Sequence, residues 1–125
     1  MKLPSEDDVQ RAIVEALPLR FACVVHFCGA DRAANIRQRA KRKRLGSVTG
    51  WPDLVVCGAG GKCVFLEVKR PGRYPTEPQR LVHQYLRELG HSVAVVRSVA
   101  DAVAACESGN MSTRTRRVGS KTGEC

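Results

Sequence analysis

Apolar residues along the chain follow two spacings, and the switches between them predict an ordered series of helices and strands. Helical spacing runs from Ser5 to Leu17, with Ser5 as the expected N-cap and Pro18 as the expected end of the helix. The later segments alternate between β-branched, strand-like runs and further helical spacing. In order, they are strand 20–27, helix or loop 32–45, strand 53–57, strand 64–70, helix 77–89, strand 92–97 and helix 99–106.

The order of these segments predicts the fold class. The glycine-rich turn 58–62 connects strands 53–57 and 64–70 as an antiparallel hairpin, because glycine permits the positive φ angles of tight turns. Strand 64–70, helix 77–89 and strand 92–97 form a βαβ unit, whose two strands should be parallel. The series α-β-(α)-β-β-α-β-α therefore predicts an α/β domain with a mixed β-sheet flanked by helices.

Two further expectations concern the core and the domain boundary. In helix 77–89 the helical spacing of apolar residues predicts a core-facing side that includes Tyr85. From Glu107 onward the chain is poor in apolar residues and rich in Gly, Ser, Thr and Arg. We therefore expect a folded domain over 1–106 and a flexible basic tail over 107–125.

One acidic residue of the first helix, Glu6, falls on the apolar side of that helix. At about 100° per residue, Glu6 lies about 60° from Val9, within the arc that Val9, Ile13 and Leu17 define. This position predicts that Glu6 faces the protein. The pattern is equally compatible with a solvent-exposed Glu6, because the first turn of a helix favours a negative charge.

Composition indicates a small domain with a polyanionic partner. The 125 residues suffice for one core, and the formal charge of +9 with a pI of about 9.7 favours nucleic acid as the partner over a basic protein whose charge only aids solubility. No apolar run approaches the ~20 residues of a membrane span, and the acidic start of the chain is unlike a signal peptide. We therefore expect a cytoplasmic protein without a membrane partner. Its six cysteines include no C-x-x-C pair, which favours reduced structural thiols over a zinc site.

The positive charge is densest between residues 32 and 45, which include no acid. Asp31 is a candidate N-cap and Gly46 would follow the end of the helix, although so many like charges repel one another without an anion. We favour contact with DNA phosphates over a solvated face or a disordered arm, since no acid within the stretch compensates the charge. The residues expected to bind DNA are Arg32, Arg37, Arg39, Lys41, Arg42, Lys43 and Arg44.

Three charged residues interrupt the apolar hairpin. Strand alternation places Glu67 and Lys69 on one face, with Leu66 and Val68 in the core, and pairing of the strands can bring Asp53 beside Glu67. Neighbouring carboxylates repel each other, a penalty that a divalent cation such as Mg²⁺ relieves. With a lysine at the same place, the set suits phosphodiester hydrolysis. The alternative is an ordinary surface ion pair next to a turn residue, which contributes little energy.

These residues resemble a known nuclease signature. Pro52-Asp53 followed by Glu67-Val68-Lys69 is similar to the motif of the PD-(D/E)xK superfamily. The fuller pattern resembles the VRR-NUC branch, the virus-type replication-repair nucleases, in its stand-alone phage and bacterial form. The resembling segments span residues 5–106 and are Glu6-x-x-Val9-Gln10, RLGSVTGWPDL at 44–54, FLEVKRPG at 65–72, Gln79 and VAVVRSVADA at 93–102.

The resemblance implies a metal site. Asp53 and Glu67 would bind Mg²⁺ or Mn²⁺, with the backbone carbonyl of Val68 as a third ligand. Glu6 would correspond to the first-helix acid that reaches toward the metal, directly or through water.

The resemblance also implies two further functional residues. Lys69 would be the catalytic lysine, and Gln79 would correspond to the family glutamine that leans over the site. For Gln79 there is an alternative that the residues themselves suggest, a capping box with Thr76, and the two roles are compatible.

The activity that the resemblance implies is metal-dependent DNA endonuclease cleavage by a homodimer, without a small-molecule cofactor. Branched DNA such as a Holliday junction would be the substrate, and the chain offers little beyond residues 32–45 and its tail for reading base sequence. Two alternatives stay open, a non-catalytic DNA-binding module with a vestigial nuclease site and a sequence-specific restriction-type enzyme.

Overall fold

A computed structural model describes residues 2–29 and 35–114 of the chain. Within these residues lie four α-helices and four strands, with a 3₁₀ turn at Ala59–Gly61. The elements are α1 (Glu6–Arg20), β1 (Cys23–Phe27), α2 (Ile36–Arg44), β2 (Leu54–Gly58), β3 (Cys63–Val68), α3 (Glu77–Glu88), β4 (Ser92–Val96) and α4 (Val99–Ser108).

The four strands form one mixed sheet in the order β1-β2-β3-β4. β1, β2 and β3 are antiparallel neighbours, and β4 pairs parallel to β3 after the crossover through α3. The predicted α/β class, the hairpin and the βαβ unit are therefore confirmed. None of the helices within residues 2–29 and 35–114 is long and apolar enough to cross a membrane.

The two faces of the sheet are covered differently. α1 and α4 pack against each other and against one face, where side chains such as Ile13, Leu54, Leu66 and Cys106 are fully buried. Because strand side chains alternate, Glu67 and the other odd-numbered residues of β3 point to the opposite face, toward α3. We call these the core face and the α3 face of the sheet.

The first helix does not end at Pro18, as the sequence had predicted, but continues to Arg20. Proline removes only one backbone hydrogen bond so close to the end of a helix. The Leu17 carbonyl still accepts the N–H of Phe21 at 2.9 Å, and both side chains are fully buried. Their packing therefore holds the last turn in place.

The basic helix is shorter than predicted and begins at Ile36 rather than at Arg32. Its N-cap is Asn35, which has an extended backbone and forms a capping box with Gln38. The predicted cap, Asp31, and Arg32 lie outside the described residues.

The structure differs from two further expectations, one about the burial of Tyr85 and one about where the folded part of the chain ends. Tyr85 is not in the core but 64% exposed, because α3 turns His83 and Leu86 toward the sheet instead. The chain also remains folded beyond residue 106. α4 extends to Ser108, and the segment after it returns along α1, where the Arg114 N–H donates to the Arg20 carbonyl at 2.7 Å.

The apolar side chain that holds this last segment is Met111, which is 5% exposed and belongs to the core. One methionine in an otherwise polar stretch is a weak signal, which explains why composition placed the boundary too early. The remainder of the predicted tail, residues 115–125, lies outside the described residues.

Candidate active site

The hairpin register brings Asp53 to the end of β3. Leu54 pairs with Leu66, so the next position along the hairpin sets Asp53 opposite Glu67. The Asp53 carboxylate is 3% exposed, and its Oδ2 accepts the backbone N–H of Val68 at 2.8 Å. The Asp53 carbonyl accepts the N–H of Cys28 at 2.7 Å, which ties it to the strand on its other side. Asp53 is therefore fixed between two neighbouring strands.

Glu67 is fully buried on the α3 face, and three side chains surround its carboxylate. Gln79 Nε2 donates to Oε2 at 3.1 Å, and His83 Nε2 lies 3.2 Å from Oε1. Lys69 Nζ lies 4.0 Å from Oε2, too far for a hydrogen bond but close enough for a strong attraction between charges. A buried carboxylate is tolerated only with such partners, and together they fix its orientation.

Gln79 forms the capping box that the residues suggested and also contacts Glu67. Its Oε1 accepts the Thr76 N–H at 2.8 Å, and Thr76 Oγ1 accepts the Gln79 N–H at 3.4 Å, which completes the capping box. Its Nε2 meanwhile donates to Glu67. The first turn of α3 is thereby locked onto the carboxylate.

His83 was missed by the sequence analysis. It is only 2% exposed and lies four residues after Gln79, so both side chains project from the same side of α3 toward Glu67. Burial, aided by the positive charge of Arg87, lowers the pKa of His83 and favours the neutral imidazole. A carboxylate oxygen can only accept a hydrogen bond, so the neutral imidazole of His83 carries its proton on Nε2 and donates it to Glu67. The sequence signal that could have indicated His83 is its i, i+4 spacing from Gln79, which places both side chains on one side of the helix.

The loop before β2 positions Asp53 through a glycine. Gly50 has a φ of +91°, and a Cβ at this position would lie 2.5 Å from the carbonyl oxygen of Pro78. Only glycine therefore lets the loop pass so close to the first turn of α3. Pro52, which is buried, follows and restricts the backbone just before Asp53. The Gly-x-Pro-Asp order thus has a structural reason.

An open cleft connects Asp53 to the basic helix α2. Asp53 and Gln79 lie on its wall together with Arg39, Arg42 and Lys43 of α2. The other predicted DNA-binding residues of α2, which are exposed but do not line the cleft, are Arg37, Lys41 and Arg44. Arg32 lies outside the described residues. A polyanion entering this cleft would pass the basic side chains before it reached Asp53.

The contacts that hold Asp53 and Glu67 come from Val68, Gln79, His83 and Lys69, and Glu6 is not among these partners. It is half-buried in the first turn of α1, which packs on the core face of the sheet. Residues 2–29 and 35–114 hold no group of three or more His, Cys, Asp or Glu side chains arranged to bind a metal ion. The cluster that the structure does bring together consists of Asp53, Glu67, Lys69 and Gln79, with His83 in addition.

The donor atoms of this cluster fit a small, hard cation. Asp53 and Glu67 supply carboxylate oxygens from adjacent strands, and Val68 between Glu67 and Lys69 supplies a backbone carbonyl. Mg²⁺ typically uses one or two carboxylates and completes its shell with water or substrate phosphate, so it does not require a third acidic side chain. Asp53 also lines the open cleft, which gives an ion and a phosphate a common route of entry.

The fold is that of a VRR-NUC domain. A solved structure described as a VRR_NUC domain protein superposes with a TM-score of 0.68 over 86% of this chain and 89% of its own, at 21% identity. The resemblance stated from the sequence is therefore confirmed for the fold. The chain matches no family model.

One relative with a similar sequence is a phage protein. A segment of 49 residues is 45% identical to the "Putative nuclease p44" of Acyrthosiphon pisum secondary endosymbiont phage 1. The match covers 39% of this chain and about half, 53%, of that relative.

Proposed function

We propose that this protein is a metal-dependent DNA endonuclease that hydrolyses phosphodiester bonds, selectively in branched DNA such as Holliday junctions. The observation that carries the proposal is the buried Asp53–Glu67 pair with Lys69, of which Asp53 lines a cleft together with basic residues of α2. The VRR-NUC fold and the partial similarity to a phage protein named as a putative nuclease support it.

In this proposal Asp53, Glu67 and the Val68 carbonyl hold Mg²⁺ or Mn²⁺, with Glu6 acting through water. When bound, such an ion polarises a phosphoryl oxygen and makes a water molecule more acidic. The backbone N–H of Val68 holds one oxygen of Asp53, and Gln79 and His83 hold the two oxygens of Glu67. These contacts keep the two carboxylates in place when the cleft is empty, so little reorganisation is needed on binding.

Lys69 supplies the positive charge for the reaction. Its ammonium lies 4.0 Å from Glu67, and its side chain is only 11% exposed. In such a poorly solvated place a charge is screened less than in water. We assign Lys69 to stabilising the negative charge that develops on the phosphate and to orienting the attacking water.

The cleft determines how DNA binds. Arg39, Arg42 and Lys43 approach the site from one side and suit contact with the sugar–phosphate backbone, which carries no sequence information. Cleavage should therefore depend on DNA shape. Cutting both strands of a junction requires two sites, which a homodimer would provide.

The decisive experiment compares cleavage of a four-way junction, a flap and a linear duplex in Mg²⁺, Mn²⁺ or EDTA. Asp53→Asn keeps an oxygen for the Val68 N–H but loses the charge, and Lys69→Met keeps the apolar stem. We expect each to reduce cleavage by about 100-fold or more, as loss of a transition-state contact does. The matched controls, Asp7→Asn and Lys62→Met, change exposed residues that do not belong to the cluster and should cut normally.

The possible outcomes distinguish the alternatives. Wild-type rates in both Asp53→Asn and Lys69→Met would refute the assignment of the active site. Wild-type protein that binds junctions but cuts nothing in either metal would identify a DNA-binding module. Cleavage of the linear duplex at one defined sequence would identify a restriction-type enzyme.

A further inference from the structure

An aromatic side chain shares the cleft with Asp53. Trp51, the only tryptophan of the chain, comes two residues before Asp53 and lines the same cleft as Asp53, Gln79 and the basic residues of α2. Its exposed fraction is 39%, large for a residue whose indole normally contributes buried area. Neither the metal site nor the phosphate contacts use it.

The Trp51 ring is held in a defined orientation. It contacts Phe65 edge to face, with ring centroids 5.6 Å apart and an interplanar angle of 86°. Phe65 is 8% exposed and is anchored in turn by His91 on its other side, at 5.7 Å. The contact with Phe65 therefore favours one orientation of the ring, and the Trp51 side chain lines the cleft.

We propose that Trp51 is a stacking platform for an unpaired base next to the phosphate that would bind at the metal site of Asp53 and Glu67; this inference rests on the proposed function. An exposed, rigid aromatic ring binds a nucleobase by stacking, irrespective of which base it is. The neighbouring Arg42 and Lys43 supply the charge that holds the adjoining phosphates. The ligand is thus a nucleic-acid strand with at least one unstacked nucleotide.

The consequence is a source of structure selectivity at the site itself. Inside an intact duplex each base is stacked on both faces, and unstacking it costs free energy. At a branch point or flap some bases are already unstacked, so a base can stack on the Trp51 ring without the free-energy cost of opening a duplex. Trp51 would therefore raise the affinity for branched DNA but add little to the affinity for linear duplex DNA.

The test uses the fluorescence of Trp51, which reports on this position alone because the chain has no other tryptophan. Full-length protein in EDTA, where no cleavage is expected, is titrated with single-stranded oligothymidine, a flap substrate and an intact duplex of equal length. We expect single-stranded and flap DNA to quench the emission and the duplex to leave it nearly unchanged. Equal quenching by all three, or none by single-stranded DNA, would overturn the proposal.

Variants give a second measurement. Trp51→Ala should lower the ratio of flap to duplex affinity by about tenfold, as loss of one stacked base does, and Trp51→Phe should retain most of that ratio. Tyr74→Ala, which removes another exposed aromatic ring that instead packs under Arg97, is the matched control. An unchanged ratio in Trp51→Ala would contradict the proposal. If Trp51→Ala does not fold, the wild-type fluorescence still decides.

Failure of this inference and failure of the nuclease assignment are distinguishable. Metal-dependent cleavage of branched DNA without selective quenching would leave the nuclease and remove the stacking platform. Selective quenching by unpaired DNA without cleavage in either metal would leave the platform on a non-catalytic module.

Discussion

At the scale of single residues, the site depends on how one buried carboxylate is held. Glu67 has no exposed surface, yet both of its oxygens have partners on α3, Gln79 on one and His83 on the other. Leaving a buried polar group without its partner costs about 1–3 kcal/mol, and more for a charged group. We therefore predict that His83 is a positioning residue, which would act on the proposed reaction through Glu67.

Replacing His83 should affect stability and cleavage together. His83→Leu removes the donor to Glu67 Oε1, and we expect the free energy of unfolding to fall by about 2–4 kcal/mol and cleavage to slow. His83→Gln offers a donor from a side chain of similar reach and should recover part of both. Urea unfolding and a cleavage assay measure the two effects.

Gln84→Ala is the control for His83, since Gln84 is its neighbour on α3 but is exposed and bonds only within the helix, to Glu88. If His83→Leu were as stable and as active as wild type, the contact with Glu67 would have no positioning role. If His83→Leu lost stability but His83→Gln recovered only stability and not cleavage, the role would be structural alone.

The residues that sequence could identify were those with a fixed chain spacing. Asp53, Glu67 and Lys69 follow from strand alternation and hairpin pairing, and the structure does bring them together. His83 could not be identified in the same way, because an i, i+4 partner on a helix matters only once that helix is known to cover Glu67. For Glu6 the helix wheel gives only a direction around α1 and no distance to residues on other elements, so its role at the metal site stays a prediction.

At the scale of elements, the contact between the 48–53 loop and α3 determines where Asp53 lies. Gly50 combines a positive φ with an approach of 2.5 Å between its virtual Cβ and the Pro78 carbonyl oxygen. Gly50→Ala should therefore be destabilised by two effects, a backbone strain of about 1 kcal/mol and a clash that displaces the loop. We expect a lower melting temperature and a loss of cleavage.

Gly72→Ala separates the two causes. Gly72 has a similar φ of +86°, but nothing lies within 4 Å of its virtual Cβ. It should show the strain alone, a modest loss of stability with cleavage retained. If Gly50→Ala were no more destabilised than Gly72→Ala, the close approach to α3 would not be what holds the loop.

The elements themselves were predictable wherever a local signal and the tertiary packing agree. The capping box of Thr76 and the glycine-rich hairpin turn are such cases. The end of α1 was not predictable, because buried Leu17 and Phe21 outweigh the local effect of Pro18. The burial of Met111 after α4 is likewise decided by residues distant in the chain.

At the scale of the whole molecule, the net charge of +9 allows two explanations of the proposed DNA binding. One is general attraction, to which every basic residue contributes wherever it lies. The other is local, with binding concentrated where Arg39, Arg42 and Lys43 line the cleft beside Asp53. Composition cannot separate these explanations, because it does not say where in the fold each charge lies. The structure can, because α2 carries basic residues both on the cleft and away from it.

Two triple variants with equal charge distinguish the explanations. The cleft triple replaces Arg39, Arg42 and Lys43 by alanine, and the outer triple replaces Arg37, Lys41 and Arg44; each lowers the formal charge from +9 to +6 because three cations are removed. Each phosphate contact contributes about 0.9 to the slope of log affinity against log salt on duplex DNA. The cleft triple should therefore flatten that slope by about 2–3 units and the outer triple by much less. Equal changes in the two slopes, measured by binding titrations from low to high salt, would show that total charge rather than the cleft governs the interaction.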